Sequence, residues 1–177
     1  MTTPMSAELR DTILRLLLRD LEALQQEISA YPDDASLWTV PPGIANSGGT
    51  LALHLAGNLR HFVGHLLGAS GYVRDREREF VTRDLTRAAV LAELADTVAQ
   101  VTRALSALDP AQLEAPFPVP VLDTQLRTDV MLLHLATHLT YHLGQVDYHR
   151  RLTTATPTTV KTISIPALVR PLPEAAG

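Results

Sequence analysis

The chain predicts an all-α fold: a single four-helix bundle over residues 1–152, with a long crossover between its second and third helices and an extended tail over 153–177. Two observations carry the bundle. Four segments repeat their apolar residues at helical steps of three and four, and the three segments between them are too rich in glycine or proline to continue a helix. A third limits the count: 177 residues suffice for one domain with a full hydrophobic core and not for two.

The first segment runs from about Ser6 to Ala30, with Leu9, Ile13, Leu16, Leu17, Leu21, Leu24 and Ile28 on its apolar face. Ser6 is read as its N-cap. Pro32 closes it, because proline disfavours a helical residue before it. The second, about Thr50 to Leu67, carries Leu51, Leu55, Leu59, Phe62 and Leu66 as one ridge. His54, Asn58, His61 and His65 form the ridge beside it. The third, about Thr86 to Leu108, alternates steps of three and four through Leu91, Leu94, Val98, Val101, Leu105 and Leu108, the spacing of a bundle seam. The fourth, about Asp129 to Leu152, buries Leu132, Leu135, Leu139, Leu143 and Val146. His134, His138, His142 and Gln145 lie along its neighbouring stripe, and Thr128 is read as its N-cap.

The stretch from Gly68 to Leu85 is long enough to travel the length of a bundle, so the second and third helices are expected to run parallel. Between the third and fourth, Phe117 to Leu126 is too proline-rich for helix and suits a small hairpin around Asp123-Thr124. After Arg151 the threonines and prolines imply an extended tail, packed on the outside or paired with a partner chain.

Composition excludes several functions. Apolar residues make up 46% and charged residues 19%, and no run approaches the roughly 18 uncharged apolar residues of a membrane span. The N-terminus places charges where a signal peptide needs an apolar stretch, so the expected compartment is the cytoplasm. A net charge of −4 with scattered arginines argues against nucleic acid as a partner. The alternating Arg74-Asp75-Arg76-Glu77-Arg78-Glu79 reads as a solvated loop or helix end. With no cysteine there is no thiolate nucleophile or sulfur ligand, so any metal must sit on nitrogen and oxygen.

Six of seven histidines fall on the matching stripes of the second and fourth helices. His138 and His142, four apart, point the same way with Cβ atoms about 5–6 Å apart, close enough for two imidazoles to share an ion. Spacing alone does not decide the matter, since such pairs more often flank a core and bond to neighbours. His61 with His65 and His134 with His138 are spaced identically.

The segments Asn46-Ser47-Gly48-Gly49-Thr50-Leu51-Ala52-Leu53-His54-Leu55-Ala56-Gly57-Asn58-Leu59-Arg60 and His134-Leu135-Ala136-Thr137-His138-Leu139-Thr140-Tyr141-His142-Leu143-Gly144-Gln145 resemble the DinB-like (YfiT-related) superfamily of four-helix-bundle proteins, proposed to be metalloenzymes. The resemblance spans roughly residues 6–152. It implies a divalent metal held by His54, His138 and His142, zinc or nickel before iron or manganese. His134, His61 and His65 are then extra and line the pocket or support the ligands. Asn58 and Gln145 are placed to orient ligands or water, and Tyr141 to reach the pocket rim.

Three ligands leave coordination positions open, as in a catalytic site. The expected activity is activation of water or of a low-molecular-weight thiol, as in a hydrolase or thiol S-transferase. No carboxylate base is evident, because Asp147 lies off the histidine stripe. The alternative is a non-catalytic, stress-related dimeric bundle in which the metal only stabilises or senses, and a fourth protein ligand would favour that reading. The tail and the resemblance both suit a homodimer.

Overall fold

The computed structural model describes residues 4–160 and 163–173; the expected tail residues at 161–162 and 174–177 lie outside the described residues, as do 1–3. Four long helices carry the fold: α1 (Pro4–Ser29), α3 (Gly48–Leu59, continued by a π turn at Arg60–His65), α5 (Arg87–Ala107) and α6 (Thr128–Thr154). Two short ones, α2 (Asp34–Trp38) and α4 (Arg76–Val81), sit in the connections.

Polar contacts between helices fix their directions. Arg10 donates to the Leu108 carbonyl and Arg87 to the Tyr31 carbonyl, so α1 and α5 are antiparallel. Asp20 meets Thr140 and Glu27 meets Arg150, so α1 and α6 are parallel. Arg60 pairs with Glu93 and Asp96, while Gly64 abuts Gln100 and Gly68 abuts Ala104; α3 and α5 therefore run parallel, as the crossover length requires. His54 faces His138 while Gly48 nears His149, which makes α3 and α6 antiparallel. In cross-section α1 and α3 are diagonal, each packed on both α5 and α6.

The core is aliphatic, with Ile13, Leu14, Leu17, Leu21, Leu24 and Ile28 of α1 against Leu55, Leu59, Leu94, Leu105, Leu132 and Leu139. Each such side chain contributes roughly 1.5–3 kcal/mol on burial. Charged groups enclosed with them pair across the helices: Arg150 binds Glu27 and Asp147, and Asp20 takes bonds from Arg19 and Thr140.

Several local expectations change. Ser6 lies inside α1, which includes Pro4 and Met5, and is not its cap. Ser47 caps α3, its hydroxyl accepting from the Thr50 amide at 3.1 Å, so that helix begins at Gly48, two residues before the expected start at Thr50. Thr128 is the first residue of α6 and does not cap it; its hydroxyl and amide both donate to the Ala115 carbonyl, anchoring the helix to the preceding loop. That loop does form a hairpin, centred on Leu122 and Asp123, both at positive φ, one residue before the expected turn. The tail leaves α6 through Ala155 at φ 52°, and its described part is non-helical except for a 3-10 turn at Pro166–Val169 that lies against α1.

Candidate metal centre

Antiparallel packing of α3 on α6 brings the two histidine stripes face to face. His54, one and a half turns into α3, meets His138 and His142, which project from successive turns of α6. A nitrogen from each of the three rings lies within 4.8 Å of the others. His54 Nε2 is 3.4 Å from His138 Nε2. Two imidazole nitrogens sharing a tetrahedral zinc-like ion, each about 2.0–2.1 Å from it, are about 3.3–3.4 Å apart. That edge is already at ligating distance.

The Nδ1 atoms explain how the rings are held. His54 Nδ1 is 3.0 Å from Glu79 Oε2. Glu79 is in turn gripped by Arg74, whose Nε donates to Oε1 at 2.7 Å and whose Nη2 donates to Oε2 at 2.9 Å. Burial pushes the Glu79 carboxyl up, but the Arg74 fork and the His54 hydrogen bond outweigh it and hold the group below its usual range. An ionised carboxylate only accepts, so His54 carries its proton on Nδ1 and turns a bare Nε2 lone pair toward His138. His142 is held the same way, with Nδ1 donating to Gln145 Oε1 at 2.6 Å. Acceptors behind ligand imidazoles fix the tautomer and raise ligand basicity.

The remaining electrostatics favour neutral rings. Burial, with the neighbouring His142 and His54, pushes His138 down to about 4, and burial likewise lowers His142 against the Gln145 hydrogen bond. His138 Nδ1 is enclosed with no protein partner. The three rings bring one nitrogen each within 4.8 Å of the others, the spacing at which a single divalent cation is shared. The donor set fits such an ion.

The other expected site residues divide. Asn58, one turn after His54, is buried with Oδ1 unpartnered. His134 stacks on His138 at 6.0 Å and 28°, and His61 on His65 at 6.2 Å and 25°; among the described residues none of these three joins the ligand cluster. Tyr141 is 65% exposed and packs its ring edge-on against His142. Gln145 also borders a cavity of about 390 Å³, lined by Ile44, Asn46, Leu51, Tyr148 and Leu152. Trp38 belongs to the core side, packed on Gly49 with its indole donating to the Leu85 carbonyl at 2.8 Å.

Glu79 and Arg74 are the site residues that sequence reasoning missed. The run Arg74 to Glu79 is not uniformly solvated. Asp75 caps α4 through the Arg78 amide, and one turn of helix carries Glu79 inward against Gly57. A Cβ at Gly57 would overlap the Glu79 carboxylate. A glycine three residues after a histidine, inside an otherwise apolar helix, was the available signal.

Comparison with known families agrees with this geometry. The family model of the DinB superfamily matches residues 13–146, about three quarters of the chain, from within α1 to past His142. Searches of curated proteins and of solved structures return no match. A match over that span, with the bundle and the facing histidines in register, establishes descent: the chain belongs to the DinB superfamily.

Proposed function

We propose that the protein is a metal-dependent enzyme whose His54, His138 and His142 hold one divalent ion, zinc or nickel before iron or manganese, and which acts on a small molecule by hydrolysis or by transfer to a low-molecular-weight thiol. The observation that carries the reading is the convergence of three imidazoles while no other His, Asp or Glu among the described residues joins them. An ion held by these three histidines would supply the chemistry of lowering the pKa of a bound water or thiol toward neutrality. The chain's own groups do the rest. Glu79 and Gln145 hold His54 and His142 in the ligating tautomer, and the cavity beside Gln145 offers Leu51, Ile44 and Leu152 to an apolar part of the substrate. Asp147, bound to Arg150 and Arg151, is not free to act as a base.

The test is the metal content of untagged protein, wild type against a His138→Ala, His142→Ala double variant. About one ion per chain in wild type and none in the variant supports the reading. Wild type that contains none and takes up none on titration refutes it.

A homodimer is the second part of the proposal, supported by the outer face of α6. Val130, Leu133, Tyr141, Tyr148 and Leu152 are all more than 40% exposed and recur at helical spacing, and no charged residue falls between Asp129 and Asp147. Helices apolar on every side are ordinarily covered. Tyr141 and Tyr148, at the 150–250 Å² that a buried aromatic covers, supply about 300 Å² of the roughly 800 Å² per partner a stable interface needs. A neutral face suits a second copy of an acidic chain. Among the described residues no helix is long and apolar enough to cross a membrane.

A further inference from the structure

The cavity beside Gln145 begins one helical turn from the histidine cluster on both helices. Leu51 precedes His54 by three residues and Gln145 follows His142 by three, about 4.5 Å along each axis at 1.5 Å per residue. Its volume of about 390 Å³ falls at the small end of ligand pockets, roughly 300–1,000 Å³. Leu51 and His149, both buried, form the floor; Ile44, Tyr148 and Leu152, at 40%, 73% and 61% exposed, form the mouth.

The walls are held before any ligand arrives. His149 Nε2 donates to the Thr39 carbonyl at 2.8 Å, and its Nδ1 accepts from the Tyr31 hydroxyl at 2.6 Å. A carbonyl only accepts, which fixes that tautomer. The first bond pins one end of the 39–46 loop to α6, and the Ser47 cap pins the other end to the start of α3. Between them a turn closed by the Ile44 amide on the Pro41 carbonyl, with Gly43 at φ 82°, brings Ile44 and Asn46 to the cavity.

No Asp, Glu, Lys or Arg among the described residues lines this cavity. The charged groups on the adjoining turns of α6 are engaged elsewhere: Asp147 pairs with Arg150 and Arg151, and Arg151 lies over the Tyr148 ring at 5.3 Å. Both ring nitrogens of His149 are taken, as above. The free polar groups are carboxamides. Gln145 Oε1 is bound to His142 Nδ1, and among the described residues nothing accepts from the Gln145 Nε2–H donors. The half-buried Asn46 amide is likewise without a partner among the described residues.

Aliphatic walls with neutral donors select an uncharged ligand. An ionised group entering here would lose its hydration and gain no counter-charge. A carbonyl oxygen accepts from Gln145 Nε2–H and exchanges a hydrogen bond to water for one to the protein. Because the other end of that amide holds the His142 ring, such a ligand polarises the group that orients it.

We propose that this cavity binds an uncharged carbonyl compound with an aliphatic chain, its oxygen on Gln145 Nε2–H and its chain between Leu51, Ile44 and Leu152. Naming this as the substrate class rests on the metal-site reading above and deepens it; the binding site itself stands on the cavity alone.

Hexanamide and hexanoate, alike in shape and different in charge, are titrated into the full-length protein, once metal-free and once zinc-loaded. The Gln145 side-chain amide and the Leu51 and Leu152 methyls are the NMR reporters. Hexanamide should shift all three saturably in both forms and bind at least about tenfold more tightly than hexanoate. Leu152→Lys, a change at an exposed position, puts a cation at the mouth and should strengthen hexanoate relative to hexanamide by about tenfold. Hexanoate bound as tightly as hexanamide by the wild type, hexanamide that leaves the Gln145 amide unmoved, or no saturable binding in either form overturns the proposal and leaves the metal reading standing. An unchanged preference in Leu152→Lys overturns it too, because the ligand then lies elsewhere, as does binding confined to the zinc-loaded form. Wild type that takes up no zinc yet binds hexanamide is the failure of the metal reading alone.

Discussion

Replacing Glu79 by glutamine keeps the size of the side chain and removes its charge, so it isolates what the carboxylate does for His54. In the wild type one carboxylate satisfies three donors: His54 Nδ1–H at 3.0 Å and the Arg74 Nε and Nη2 at 2.7 and 2.9 Å. The amide offers one acceptor oxygen and turns its own N–H donors toward either the imidazole or the guanidinium. Whichever way it turns, one contact becomes donor against donor. Loss of an acceptor behind a ligand histidine weakens metal binding about 10–100-fold, or about 1.4–2.7 kcal/mol. A broken buried ion pair costs the fold up to about 3–5 kcal/mol; Arg74, with 13% of its side chain exposed, can turn partly to water, so the lower end applies. Competition against a chromogenic chelator measures the first quantity, and thermal unfolding of metal-free protein the second. Gly57→Ala gives an independent route, since its new Cβ displaces the carboxylate without removing any charge. Both variants should lose at least about tenfold in metal affinity. Glu79→Gln protein that binds zinc as tightly as wild type would refute the reasoning, because His54 would then be oriented by packing alone.

His142→Ala should abolish most metal binding yet cost the metal-free fold less than Leu94→Ala; the leucine is fully enclosed, and its loss opens a cavity worth about 2–5 kcal/mol, read by denaturant unfolding. Metal-free protein should lose stability on acidification: His138, His142, His149 and His61 all titrate lower in the folded chain than at the ordinary 6.5, so the unfolded chain binds more protons below that pH. Their contribution is complete above about pH 6.5 and drains away toward about pH 4, the value for His138, and melting temperatures flat across that window would contradict it. Tyr141→Asp with Val130→Asp should convert a dimer to monomers in sedimentation velocity, since a charge buried at a symmetric interface meets its own copy; an unchanged sedimentation coefficient rules out the α6 face as the contact.

The elements legible in the sequence are those whose signal is local. The leucine ladders of α1, α3, α5 and α6 repeat over about three turns or more, and the length of the 68–85 segment sufficed to set α3 parallel to α5. The three histidines that cluster were legible through two motifs, since three equally spaced histidine pairs could not be ranked on spacing. What stayed hidden depends on contacts distant in sequence. Glu79 sits in an alternating charged run, and only the packing of α4 on α3 decides that this one carboxylate turns inward. The π turn at Arg60–His65 left no mark in the apolar ridge, because Val63 and Leu66 serve either geometry. Caps failed for a related reason: Thr128 has the right chemistry, but the Ala115 carbonyl engages both its groups.

The topology explains why the crossover is part of the site and not merely a connection. Ligands from α3 and α6 are 84 residues apart and are aligned by the bundle core, which fixes distance but not ring rotation. An imidazole on a helix retains freedom about its side-chain bonds, and a hydrogen bond at Nδ1 removes it. For His142 the acceptor comes from its own helix, three residues on, where helical spacing guarantees reach. For His54 the corresponding position is Gly57, and a glycine can accept nothing with a side chain. Because Gly57 is bare, a carboxylate from another element can approach in its place, and the crossover supplies Glu79 with Arg74 to keep it ionised. The two supports differ in consequence: Gln145 is neutral and exposed, whereas Glu79 is charged and enclosed. The support of His54 is therefore the more costly of the two to lose.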